Sequence, residues 1–335
     1  MGQLPGHVPL LATTRGSTIE CVHYGTIAVC DVRGDLALGL GDVQALNFAR
    51  SALKPLQALP FAEDNGPGRF GFGSHEVALM CASHSGEAVH VGIVRRMLAR
   101  IGARETDLQC GCHPPLFYAA TGKPVPPAAR FGALTHNCSG KHAGFLAYCR
   151  LYGHGLADYL APDSPLQVRI RNTVQQFAAT SPIASGIDGC SAPTYALPLA
   201  RLAQVYALLA VGQGTALDAL RYAMQRHPDL VSGTGRFDLA LARAGGGDWI
   251  AKSGADGVQA IGVRSRGLGI AVRIADGNAR ALHTATAELL HQMGLLPAPA
   301  DSPLARDFRP SLTNYRGVTV GSLQPLFELA GAGRQ

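Results

Sequence analysis

The chain has 335 residues, of which 47% are hydrophobic and only 16% are charged. This composition excludes an intrinsically disordered protein, because there is ample apolar material for a buried core. The length suits one large domain or two ordinary ones. No apolar stretch approaches the ~18 residues of a membrane-spanning helix, so we expect no membrane partner.

The net charge is +6, and a basic protein could bind nucleic acid. The arginines are scattered, however, and no segment interleaves basic with aromatic residues, so we expect no nucleic-acid partner. The N-terminus lacks a basic segment followed by a long apolar run, which favours a cytoplasmic protein. The eight cysteines are then expected to be reduced thiols or metal ligands rather than disulfides.

The first predicted element is a β-hairpin, in which residues 19–30 and 36–40 flank a turn. A second hairpin is predicted near the C-terminus, at 258–263 and 268–274. Between the hairpins, apolar residues recur at helical spacing, and a loop is expected at 181–194. The helical segments are 76–82, 88–101, 139–152, 165–179, 197–211 and 215–227. A further helix at 279–293 and a short strand at 317–321 follow the second hairpin.

Strands at both chain ends that enclose a helical middle predict an α+β fold, because the strands must pair non-locally. We expect one antiparallel sheet built from both chain ends with an inserted helical region. The sheet part is predicted at about 12–60 and 248–325, and the helical part at about 61–247. Together they are expected to form a single unit over residues 1–335.

Lysine is rare in this chain: Lys54, Lys123, Lys141 and Lys252 are the four lysines among 29 basic residues. Arginine stays protonated, so it cannot act as a base or bind a metal through a neutral nitrogen. Lysines kept against such a bias are candidates for roles that need a deprotonatable amine.

A possible nucleophile is Ser51, which precedes Lys54 with the spacing Ser-x-x-Lys. On a helix this spacing puts both side chains on one face. Pro55 places Ser51 close to the helix start, where backbone N–H groups can meet an oxyanion. Alternatively, Ser51 is a helix cap and Lys54 a surface residue.

Two other segments could complete such a site. Lys252-Ser253-Gly254 lies before a predicted strand, and a Lys-Ser/Thr-Gly strand accompanies Ser-x-x-Lys in penicillin-binding proteins and serine β-lactamases. Ser83 follows a predicted helix, where it is either a second catalytic hydroxyl or part of a helix-end capping motif.

Cys138 and Cys190 could hold zinc, with His136 or His142 as the further ligands that spacing alone suggests. Buried free cysteines are common, so two cysteines are weak evidence for a metal. The segment Cys110-Gly111-Cys112-His113 is a rival metal candidate.

Several motifs in the same order resemble the rhizobial-type, or class 3, L-asparaginases, also called the asparaginase II family. The segments that carry this resemblance are Ala49–Pro55, Met80–Ser85, Asn137–His142, Asp188–Cys190 with Thr194, Arg226–Pro228 and Lys252–Asp256. The resemblance covers about residues 12 to 325. It implies a fold like that of serine β-lactamases and glutaminases, and hydrolysis of L-asparagine to L-aspartate and ammonia.

The resemblance also implies roles for individual residues. Two Ser–Lys pairs fall on Ser51 with Lys54 and on Ser83 with Lys252. The family's zinc site falls on Cys138, Lys141 and Cys190, and the family is homodimeric. We expect Asp188 to support the zinc or bind the substrate α-amino group, and Arg50 and the loop from His227 to Arg236 to bind the α-carboxylate. The alternatives are a glutaminase or another β-lactamase-fold amidohydrolase, and a basic binding protein with a structural zinc.

Overall fold

The computed structural model describes residues 4–329, so the extreme ends of the predicted unit lie outside the described residues. The strands are β1 Val8–Arg15, β2 Thr18–Asp31, β3 Leu36–Leu40, β4 Leu46–Phe48, β5 Ala184–Ile187, β6 Pro193–Pro198, β7 Trp249–Gly254, β8 Val258–Val263, β9 Leu268–Ile274, β10 Ser311–Thr313 and β11 Thr319–Pro325. The α-helices are α1 Lys54–Glu63, α2 Gly66–Arg69, α3 Ser74–Met80, α4 Ala88–Arg100, α5 Leu116–Thr121, α6 Ser139–Leu151, α7 Pro165–Ala178, α8 Leu199–Val211, α9 Thr215–Arg226, α10 Pro228–Val231, α11 Phe237–Ala244 and α12 Ala279–Gln292.

The large sheet is antiparallel and takes strands from both ends of the chain, which confirms the predicted α+β class. Its strand order is β10-β11-β1-β2-β9-β8-β7, and β3 also pairs with β2. Both predicted hairpins are present: β2 pairs with β3, and β8 pairs with β9. The pairing of β2 with β9 joins the two chain ends at the centre of the sheet.

The sheet is covered on both faces, and the alternation of side chains along β2 shows how. Ala28 and Cys30 belong to the apolar core that contains the side chains of α8. Ile27 and Val29 belong to the other core, which contains those of α12. Because successive strand residues point to opposite faces, one strand serves both cores. Within residues 4–329 there is no helix whose length and hydropathy would allow it to cross a membrane.

The prediction of a loop at 181–194 is wrong, because part of this segment belongs to a second, three-stranded sheet. This sheet has the order β4-β6-β5, and all its pairs are antiparallel. The β5 segment reads Ala-Ser-Gly-Ile, with few of the β-branched residues that mark a strand. Its strand conformation comes from pairing with β6, which the local sequence does not reveal.

The six helices predicted between the hairpins are confirmed as α3, α4, α6, α7, α8 and α9, with ends within a few residues of those expected. The predicted helix at 279–293 is α12, and the predicted strand at 317–321 is part of β11. The large sheet itself uses residues 8–40 and 249–325, so its first part begins and ends earlier than expected.

Candidate active site

Ser51 lies in a turn of 3₁₀ helix, Arg50–Leu53, that leads directly into α1. Pro55 occupies the start of α1, where its missing N–H costs no hydrogen bond. This confirms the expected position of Ser51 beside a helix start. Ser51 is half-buried, whereas Lys54 is fully buried, so Lys54 is not a surface residue.

Lys54 donates a hydrogen bond to the hydroxyl of Ser83, with Nζ 2.9 Å from Oγ. Ser83 is itself buried, in the segment after α3, and its N–H donates to the carbonyl of Val231. A buried ammonium or amine needs such partners, because leaving it unpaired in the interior is costly. The structure thus joins Lys54 to the second serine, a contact that the spacing of the motifs does not indicate.

Lys252 lies on β7, the edge strand of the large sheet, and is completely buried. Burial lowers its pKa to about 7; the carboxylate of Asp238 opposes this shift, and the charges of Lys54 and Arg236 add to it. Its Nζ donates to the carbonyl of Ser253 at 2.6 Å. Among the side-chain hydrogen bonds of residues 4–329, none joins Lys252 to Ser83.

A glycine brings the end of β7 against the Ser51 segment. A Cβ at Gly254 would lie 2.4 Å from the carbonyl oxygen of Ala49, which is closer than any side chain tolerates. Gly140 likewise allows α6 to approach α3 closely, because a Cβ there would lie 2.4 Å from the carbonyl oxygen of Leu79. These close approaches bring β7 and the start of α6 to the serine–lysine cluster, by which we mean Ser51, Lys54, Ser83 and Lys252.

The cluster formed by Cys138, Lys141 and Cys190 is equally buried. Lys141 Nζ lies 3.0 Å from Cys190 Sγ. A hydrogen bond with Cys190 holds the pKa of the Cys138 thiol well below its ordinary value, and the charges of Lys54 and Lys141 add to the effect. Burial alone would lower the pKa of Lys141, but the two thiols raise it instead.

The cluster of Cys138, Lys141 and Cys190 adjoins the cluster of Ser51, Lys54, Ser83 and Lys252, because the charge of Lys54 helps to lower the pKa of the Cys138 thiol. Two facing thiols and a buried amine offer the soft sulfur and nitrogen donors that suit zinc. Within residues 4–329 there is no group of three or more His, Cys, Asp and Glu side chains that could hold a metal. The donor set therefore fits zinc only if Lys141 supplies the third protein ligand as a neutral amine.

Each histidine suggested by spacing contacts another group through one ring nitrogen. His142 Nδ1 lies 2.7 Å from the hydroxyl of Tyr159, its buried Nε2 has no hydrogen-bond partner among the described residues, and burial lowers the pKa of His142 to about 4. His136 Nδ1 accepts a hydrogen bond from the N–H of Cys138. The rival candidate is not assembled, because Cys110 is buried, Cys112 is exposed and His113 contacts Asn137.

Arg50 binds two carboxylates. Its Nε lies 2.8 Å from Asp188 Oδ1, and its Nη1 contacts Asp256. Arg50 has a positive φ of 51°, a conformation unusual for a residue with a side chain. The ion pairs hold this strained residue directly before Ser51, and they connect it to the loop that carries Cys190.

The structure does not bring His227 to the cluster. His227 ends α9, where its Nε2 lies 2.8 Å from Ser74 Oγ and its ring stacks on His75. The far end of the same loop does reach the site, because Arg236 Nη1 lies 3.5 Å from the carbonyl oxygen of Ser83. Among residues 4–329, Arg236 forms no salt bridge with a carboxylate, unlike Arg50.

Asp238, near the start of α11, is the buried residue of the site that the sequence reasoning missed. Its carboxylate lies 3.7 Å from Lys252 Nζ. No local motif marks it, since it is an ordinary acidic residue in the first turn of a helix. Only the packing of α11 against β7 brings it to the lysine.

A protein-family model described as L-asparaginase II matches residues 11–325. This match covers nearly the whole chain. The protein belongs to the L-asparaginase II family. A comparison with curated proteins found no match. Membership in this family supports an amidohydrolase that acts on a small-molecule amide.

Solved structures similar to this chain include the following two. One is a β-lactamase from Mycobacterium bovis, at 15% identity and a TM-score of 0.42, covering 80% of this chain and 94% of that one. The other is a penicillin-binding protein homologue from Caulobacter crescentus, at 15% identity and a TM-score of 0.36, covering 77% of this chain and 90% of that one.

Proposed function

We propose that the protein is an L-asparaginase, which hydrolyses L-asparagine to L-aspartate and ammonia through a serine activated by lysine, next to a zinc site. The observation that carries this proposal is the buried cluster in which Lys54 touches Ser83 and a second lysine, Lys252, has a pKa of about 7. A lysine that can lose or keep its proton near neutral pH suits acid–base catalysis.

Ser51 is the proposed nucleophile because it is half-buried, whereas Ser83 is buried and less accessible to a substrate. Lys54, in its neutral form, takes the Ser51 proton as the serine oxygen attacks the side-chain amide carbon. A tetrahedral intermediate forms, and its collapse breaks the C–N bond. The result is an ester between Ser51 and the aspartyl group.

Ammonia leaves only when its nitrogen gains a proton. We assign this transfer to Ser83 and the protonated form of Lys252, which together steady the intermediate and supply the proton. Water then attacks the ester and passes its proton to the neutral Lys252. The ester bond breaks, the Ser51 oxygen takes back the proton held by Lys54, and aspartate is released. Both lysines return to their starting protonation states.

In this proposal Cys138, Lys141 and Cys190 would hold zinc, which would supply a fixed positive charge beside the substrate site. Asp188, which lies two residues before Cys190 and binds Arg50, is the proposed partner of the α-amino group. Arg50 is already neutralised by two carboxylates. We therefore assign the α-carboxylate to Arg236 rather than to Arg50.

We also propose a cytoplasmic homodimer. All eight cysteines are free, as expected in a reducing compartment. Leu46, Phe48 and Ile187, on the three-stranded sheet, are between 42% and 68% exposed, and a second copy would cover them. Light scattering of the purified protein measures the dimer directly, and Ile187→Glu is expected to shift it toward monomer.

Two measurements on the purified protein test the substrate: ammonia release from L-asparagine and L-glutamine, and ring opening of a chromogenic β-lactam. We expect release from asparagine, abolished in Ser51→Ala. Release from glutamine alone would favour a glutaminase, and ring opening of the β-lactam without ammonia would overturn the assignment. Salt-sensitive DNA binding without hydrolysis would instead identify a binding protein.

A further inference from the structure

We infer that Asp238 is a positioning residue that holds the ammonium group of Lys252 in the catalytic cluster. This inference deepens the proposed function and rests on it. Asp238 is 4% exposed and Lys252 is completely buried, so their electrostatic interaction is poorly screened by solvent. The distance of 3.7 Å between Oδ2 and Nζ is that of an ion pair.

The carboxylate of Asp238 is itself fixed by neutral donors on the sheet. Its Oδ2 accepts hydrogen bonds from the N–H of Ser253 at 3.0 Å and from the Ser253 hydroxyl at 2.8 Å. Its Oδ1 accepts a hydrogen bond from Gln259 Nε2 at 3.1 Å. These donors from β7 and β8 stabilise the ionised carboxylate and fix its orientation. Its negative charge therefore stays at one position beside Lys252.

The groups around this pair leave Asp238 as the main anionic influence on Lys252. Arg236 and Lys54 oppose the ammonium form of Lys252, and Cys138 lies on the favourable side with a smaller effect than Asp238. Two further titratable groups face Asp238 from α8 and α12, namely Tyr206 and His283. Burial raises the pKa of Tyr206 well above its ordinary value and lowers that of His283 to about 4, so both are neutral at pH 7.

Asp238 affects how much of Lys252 is in the ammonium form during catalysis. Burial and the neighbouring cations drive Lys252 toward the neutral amine, which could not donate a proton to departing ammonia. The fixed carboxylate of Asp238 restores enough of the ammonium form near pH 7 for that step. Asp238 does not touch the substrate in this scheme; it acts through Lys252.

The test compares the pH dependence of kcat/KM for L-asparagine in wild-type protein, Asp238→Asn and Asp238→Ser. Removing an opposite charge at this distance should move the alkaline limb to lower pH by about one unit or more. Asp238→Glu, which keeps the charge, should restore part of the wild-type profile. If Asp238 served only to stabilise the structure, its substitution would reduce activity without shifting the pH of the alkaline limb.

Asp248→Asn is the matched control. Asp248, just before β7, also accepts hydrogen bonds from the N–H and hydroxyl of one serine, Ser265, both at 2.8 Å. It lies at the opposite end of the strand from Ser253, so its loss should leave the limb in place. Thermal melts of all variants show which remain folded.

A folded Asp238→Asn or Asp238→Ser with an unshifted limb would overturn the inference. So would loss of the fold in both variants while Asp248→Asn stays folded, because Asp238 would then serve stability only. The proposed function has a separate failure: full activity of Lys252→Ala would remove Lys252 from the mechanism, whatever the behaviour of the Asp238 variants.

Discussion

Lys252 and Lys141 lie in neighbouring clusters and are equally buried, yet their pKa values move in opposite directions. Burial lowers the pKa of Lys252 to about 7, because one carboxylate does not offset it. Two thiols raise the pKa of Lys141 against the same burial. The partners of a buried lysine therefore decide its protonation: Lys252 can exchange a proton near neutral pH, whereas Lys141 keeps its proton and would bind the proposed zinc only by losing it.

Among the substitutions discussed, Lys252→Arg in the serine–lysine cluster is expected to reduce activity most. A guanidinium stays charged and cannot exchange a proton near neutral pH, so kcat/KM should fall by roughly 10²- to 10⁴-fold. Steady-state ammonia release measures the loss. Lys123→Arg is the control, since Lys123 is exposed against the ring of Phe117 and belongs to neither cluster. Similar activity in the two variants would contradict the distinction between the lysines.

Lys141→Arg tests the second cluster through metal content rather than activity. Arginine cannot offer a neutral nitrogen, so we expect zinc per chain to drop from near one to a small fraction after dialysis against a weak chelator. Elemental analysis measures this directly, and Lys252→Arg should keep its zinc. Full zinc in Lys141→Arg would mean that the two cysteines bind with other partners.

The pH profile sharpens the comparison further. If protonated Lys252 supplies the proton for ammonia, kcat/KM should fall as pH rises through about 7, the pKa to which burial lowers this group. An ordinary lysine, with a pKa of 10.5, would give no such limb in that range. Initial rates between pH 5.5 and 9 at saturating and limiting asparagine measure it. An alkaline limb near 10 would show that another group donates the proton.

Scarcity marks all four lysines as candidates, and the motifs and the family resemblance single out Lys54, Lys141 and Lys252. In the structure these three are buried and Lys123 is exposed. Composition contributes because arginine cannot replace a deprotonatable amine. The hairpins and the longer helices were equally accessible, because they have local periodicity.

Contacts made across the fold were not accessible. Asp238 reaches Lys252 only because α11 packs on β7, and Lys54 reaches Ser83 only through the approach of α1 to the end of α3. The strand β5 depends on its pairing with β6. Local patterns fix which elements form, whereas the partner of each charged side chain depends on tertiary packing.

The smallest predicted effect separates the two carboxylates that bind Arg50. The side chain of Asp188 is 11% exposed and that of Asp256 is 68% exposed, so solvent screens only the second pair strongly. Asp256→Asn should change the free energy of unfolding by no more than about 1 kcal/mol, since Asn also tolerates the positive φ of 58° found there.

Asp188→Asn should cost more in both stability and activity, because it leaves the strained Arg50 without its buried partner beside Ser51. Urea unfolding and KM for asparagine, measured on both variants, give the comparison. Equal effects would show that burial does not set the strength of these pairs, and that Arg50 is held before Ser51 by its backbone alone.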